Sequence, residues 1–101
     1  MILLTVLATG SATAQERLFE VANDAYQARN YDSALTVYQR IENIGIESAP
    51  LYFNMGNAYF KNGDLGHAVL YYLKARRLDP GDEDIAANPI PCGLHQAQGR
   101  I

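Results

Sequence analysis

The residues of this 101-residue chain whose types could do chemistry are two histidines, one cysteine and a short run of acids. His67 follows Asp64 by three positions and precedes Tyr71 by four. A carboxylate beside an imidazole and a phenol could begin an acid–base site. Such a site also needs a nucleophile or a further orienting group placed by the fold, and no pattern here supplies one. His67 therefore reads as an exposed or half-exposed helix residue. Cys92 and His95 stand three apart in a stretch flanked by glycine and proline, with no third group; they read as irregular tail. Gly81-Asp82-Glu83-Asp84 is acidic enough to suggest calcium, but it lacks the ligand spacing and terminal glutamate of an EF-hand loop. Acids at that place suit a helix cap and its first turn. The glycines from Gly56 to Gly66 form no phosphate-loop pattern. A single cysteine leaves no internal disulfide and no cysteine-rich zinc site. The expectation is a chain with no catalytic residue, no metal, no cofactor and no small-molecule substrate.

The elements around these residues set what remains. The length suits one small domain with a modest core. Basic residues number 8 against 11 acidic ones, a net charge of −3 with no basic stripe, so nucleic acid is not an expected partner. Residues 1–14, MILLTVLATGSATA, carry no charge. Ile2 to Ala8 is apolar but far too short to span a bilayer. Ala12-Thr13-Ala14 has the small-x-small form that precedes signal cleavage. The run departs from the usual pattern in having no Lys or Arg after Met1. The expectation is a signal peptide over 1–14, cleaved after Ala14, and an exported product in the periplasm or envelope.

Sliding the chain on itself by 34 positions brings like onto like. Phe19 falls on Phe53, Asn23 on Asn57, Tyr26 on Phe60, Asn30 on Asp64, Ala34 on Ala68, Leu35 on Val69 and Tyr38 on Tyr72. One unit covers 15–48 and the next 49–82. Each reads as two helices. In the second unit Ser48 caps a helix with Pro50 in its first turn. Leu51, Tyr52, Met55, Gly56 and Tyr59 then recur at helical spacing. Asn62-Gly63-Asp64 turns the chain, and a helix runs from about Leu65 to Leu78 with Ala68, Val69, Tyr72 and Ala75 on one face. Asp79-Pro80-Gly81 ends it. The first unit predicts helices over Arg17 to Ala28 and Tyr31 to about Asn43. Asp82 caps a further short helix that Pro89 and Pro91 break, so 83–101 reads as a partial capping helix and an irregular tail. The fold class expected is all-α: two stacked helical hairpins with a C-terminal stub.

This pattern resembles the tetratricopeptide repeat. The second unit carries the signature places as Tyr52, Met55, Gly56, Tyr59, Ala68, Tyr72, Ala75 and Pro80. The first is weaker, with Ala22 at the place of Gly56 and Ile46 at that of Pro80. Small Gly56 and Ala68 would let the two helices of a unit cross closely, and Tyr52, Tyr59 and Tyr72 would fill the spaces between units. More narrowly, an exported start followed by FEVANDAYQARNYDSALTVYQRI and LYFNMGNAYFKNGDLGHAVLYYLKARRLDPGDEDIAAN resembles the BatE-type aerotolerance proteins of bacteria. That resemblance implies a non-catalytic scaffold working with membrane-associated envelope proteins. An outer-membrane or cell-wall assembly adaptor, or an accessory segment of a larger periplasmic enzyme, is the alternative. Repeat arrays generally need about three units, so either marginal stability or burial of the open end by another copy or a partner is expected.

The resemblance also implies a concave face lined by the first helix of each unit. Phe19, Glu20, Asn23, Tyr26 and Gln27 would face it from the first unit, and Phe53, Asn54, Asn57, Phe60 and Lys61 from the second. Asparagine can donate to and accept from an extended peptide, and aromatics beside it can anchor a partner. A protein or peptide partner is therefore expected in this groove. Some relatives clamp a C-terminal carboxylate there, but Phe19 stands where that clamp uses lysine.

Overall fold

The computed structural model describes residues 13–87. Five helices follow one another: α1 (Ala14–Gln27), α2 (Tyr31–Asn43), α3 (Ala49–Lys61), α4 (Leu65–Leu78) and the single turn α5 (Glu83–Ala86), with no strand among the described residues. α1 pairs with α2 and α3 with α4 as helical hairpins. The hairpins stack through α2 on α3, α1 also touches α3, and α5 rests on α4. Residues 1–12 of the expected signal peptide, and the tail that holds Pro89, Pro91, Cys92 and His95, lie outside the described residues.

The caps show why the elements begin where they do. The Ser48 hydroxyl accepts from the Leu51 N–H at 3.2 Å, and Pro50 sits in the first turn of α3. Asp64 accepts from the His67 N–H at 3.2 Å. Asp82 accepts from the N–H groups of Asp84 and Ile85 at 2.8 and 3.1 Å. Asp82 falls 34 positions after Ser48, and buried Ile85 falls 34 after buried Leu51. α5 thus takes, at the same offset, the place and the kind of cap that α3 has. The first helix starts earlier than its apolar spacing predicts, at Ala14 rather than Arg17. Thr13 and Glu16 form a reciprocal capping box, with Thr13 N–H to Glu16 Oε1 at 2.8 Å and Glu16 N–H to Thr13 Oγ1 at 3.1 Å. That box satisfies two orphan donors and adds a turn.

The core runs along the stack. Ala22 and Ala34 are fully buried in the first hairpin, and Ala58 and Ala68 in the second. Tyr38, Ile41, Leu51, Met55 and Tyr72 are the largest side chains sealed from solvent. Gly56 faces α4, the helix that packs against α3, and a Cβ there would lie 2.6 Å from the Tyr72 ring. The Tyr72 ring lies over Gly56 and Phe53 of its own hairpin. Tyr59 does reach across, accepting from Gln39 Nε2 at 3.0 Å.

The junction between hairpins is also tied by a polar cluster. The Tyr71 hydroxyl lies 2.9 Å from both carboxylate oxygens of Glu42, and Lys74 Nζ reaches Glu42 Oε2 at 3.4 Å. The same ammonium lies over the rings of Tyr52 and Tyr71, 5.1 and 4.7 Å from their centroids. Burial, then the Glu42 carboxylate, pushes the Tyr71 phenol well above its ordinary value.

Candidate functional site

Asn23 and Asn57 stand at equivalent places on α1 and α3, and each is held the same way. The Tyr38 hydroxyl, on α2, donates to Asn23 Oδ1; the Tyr72 hydroxyl, on α4, donates to Asn57 Oδ1. Both tyrosines are buried, so their hydroxyls need these acceptors. Burial pushes the Tyr38 phenol up to about 12, partly offset by the Asn54 amide beside it. Asn54 Nδ2 also donates to Asn23 Oδ1 at 3.1 Å, which ties α3 to α1 across the unit boundary. The carbonyl ends of Asn23 and Asn57 are therefore occupied within the stack. Their Nδ2 groups make no hydrogen bond to the described residues and are left as donors.

Around them is a cleft of about 300 Å³ lined by Asn23, Tyr26, Gln27, Asn54 and Asn57. These five of the ten expected groove residues come together. Phe19 and Phe53 are half-buried and pack edgewise or tilted on Tyr38 and Tyr72, at 5.9 and 5.7 Å between centroids. They brace the tyrosines that hold the asparagines. Tyr26 meets the Tyr31 ring at 5.4 Å in an edge-to-face arrangement and lines the cleft. Glu20, Gln27, Phe60 and Lys61 are exposed, Phe60 at 41%. Phe53 and Asn54 also border a second cavity of about 210 Å³, whose other walls include Asp79, Asp82 and Ile85.

The sequence reasoning missed the tyrosine hydroxyls as the groups that orient the asparagines. The signal was present: Asn23 precedes Tyr38 by the same 15 positions that separate Asn57 from Tyr72.

The residues that first suggested chemistry sit elsewhere. His67 Nδ1 is 2.8 Å from Asp64 Oδ2, and the imidazole stacks on Tyr59 at 4.9 Å. The His67 N–H and ring hold the exposed Asp64 carboxyl below its ordinary value. The pair closes the α3–α4 turn and is exposed to solvent. Among the described residues no group of three or more His, Cys, Asp or Glu side chains could hold a metal ion. Among them, too, no helix is long and apolar enough to cross a membrane.

Comparison with known proteins bears on the second hairpin. No curated protein matches the chain. The family model described as the Tetratricopeptide repeat matches residues 49–82, from the first residue of α3 to the cap of α5. Its bounds coincide with the second unit of the internal register, so the hairpin of α3 and α4 is a tetratricopeptide repeat, a module that generally mediates protein–protein interaction.

Proposed function

We propose that this chain is a non-catalytic protein-binding scaffold whose groove takes an extended segment of a partner protein. The observation that carries this reading is the pair of asparagine donors, Asn23 and Asn57. Each is fixed by a buried tyrosine and keeps its Nδ2 group for a ligand. Two donors at the same place on the first helices of the two units suit the carbonyls of an extended backbone, and the ring of Tyr26 gives an apolar wall beside them. The site of action proposed is the bacterial cell envelope, with membrane-associated partners, as in the BatE-type proteins that the sequence resembles. The uncharged apolar start and its Ala12-Thr13-Ala14 motif support export.

The test is capture of partners from an envelope extract by the parent and by an Asn23→Asp/Asn57→Asp variant. Aspartate keeps the acceptor that each tyrosine needs, puts a second oxygen where the donor was and adds a negative charge that repels the carbonyls of a bound backbone. The expected result is a partner held by the parent and lost by an equally helical variant. Equal capture by both would remove the groove as the binding site. Export is checked separately: the mature protein from the envelope fraction should begin at Gln15, and a cytoplasmic protein that retains Met1 would overturn it.

A further inference from the structure

Among the described residues, the α1–α2 end of the stack carries a second surface that the groove does not include. Ala14, Arg17, Leu18, Val21 and Arg40 line a shallow cleft there of about 550 Å³. Val21 is 54% exposed, and no ion pair involves Arg17 or Arg40 among the described residues.

The internal register says what such a surface is for. Thirty-four positions on, Arg17, Leu18, Val21 and Arg40 become Leu51, Tyr52, Met55 and Lys74. Leu51, Tyr52 and Met55 are buried, and they lie on α3, the helix that packs against α2. Lys74 meets the Glu42 carboxylate across the same junction at 3.4 Å. The outer cleft is therefore the first unit's copy of the surface by which the second unit seats on a preceding helix. Its polar reach is wholly cationic. Arg40 stands at the place of Lys74, Arg17 at that of Leu51, and Val37 replaces the hydroxyl of Tyr71.

From this we propose that the α1–α2 end docks an amphipathic helix of a partner protein, with an acidic side chain beside its apolar stripe, set to meet Arg40 as Glu42 meets Lys74. Charge separates this occupant from the others. In a second copy stacked in the same register, the residue equivalent to Glu42 is Arg76, which would bring cation against cation. That copy's end is also already covered by α5, with Ile85 buried. Residues 1–12 of the chain itself contain no acid.

The probe is a fluorescein-labelled, hydrocarbon-stapled peptide with the sequence of residues 30–46, which carries Gln39 and Glu42 as α2 does, titrated with the full chain. Its counterpart carries Glu42→Lys. The expected result is saturable binding of the first peptide and binding weaker by about tenfold for the second, the effect of one apposed charge pair. The Arg40→Glu chain, its helix content unchanged by circular dichroism, should reverse that preference. Equal binding of the two peptides, binding of neither, or an unchanged preference in the Arg40→Glu chain would overturn the proposal. So would a parent chain that self-associates in sedimentation and is returned to monomer by Val21→Glu, because the occupant would then be a second copy.

Discussion

At the scale of single residues, truncating Asn23 to alanine would take from the buried Tyr38 hydroxyl the oxygen to which it donates. An unsatisfied buried hydroxyl costs about 1–3 kcal/mol, so Asn23→Ala should lower the urea midpoint clearly while Asn23→Asp should lower it less. Equal effects of the two would mean that the tyrosine does not depend on that oxygen. Gly56 gives a second residue-level expectation. A Cβ there meets the Tyr72 ring at 2.6 Å, and Gly56→Leu should cost about 1–3 kcal/mol by overpacking. Gly56→Ala should cost less, because the first hairpin carries Ala22 at the equivalent place. A thermal melt of the leucine variant within a degree of the parent would refute the contact. The smallness of Gly56 was legible in the sequence, but its neighbour was not. Spacing along one helix says which face a residue is on, and it does not say which ring of the next helix lies across it.

At the scale of elements, the turns of the two hairpins differ in one telling way. Gly63 takes φ 83° after α3, where glycine has no Cβ to clash, and the equivalent Arg29 takes φ 65° after α1. Arg29→Gly should therefore raise stability, by about 0.5–1 kcal/mol; a lowered melting temperature would contradict that. The N-terminus of α1 carries a related prediction. The capping box depends on Thr13, so a chain cut after Ala14 should lose about 1 kcal/mol against one beginning before Thr13, measured by paired melts. Helix existence was readable from period and turn residues throughout, and Ser48 and Asp82 were readable as caps. The start of α1 was misplaced because a capping box extends a helix through polar residues that carry no apolar signal.

At the scale of the whole molecule, the stack is bound by tyrosines whose phenols stay protonated. An unfolded tyrosine ionises near 10, whereas Tyr38 is pushed to about 12 by burial and Tyr71 is raised by burial and by Glu42. The native state thus holds these protons more tightly than the unfolded one. The Tyr38 contribution is complete below about pH 10 and is lost as pH rises toward 12, and that of Tyr71, raised further, is lost at higher pH still. The melting temperature should be flat on the neutral side of that window and fall across it, with a smaller fall in Tyr38→Phe; an identical alkaline fall in that variant would contradict the assignment. The repeat register made two hairpins legible, and the Asp82 cap a further short helix, which packs on α4 with Ile85 buried. The Glu42–Tyr71–Lys74 junction was not legible, since it joins residues about 30 positions apart through side chains of no fixed spacing.

The measurement that bears most directly on a protein-binding groove is site-specific photo-crosslinking in the envelope. A benzoylphenylalanine is placed at Gln27, which lines the cleft, or at Leu70, which is 47% exposed on α4 outside it. The account predicts a discrete partner adduct from position 27 that is absent from position 70 and is lost in the Asn23→Asp/Asn57→Asp background. Adducts from position 70 alone, or the same adduct from both positions, would contradict it.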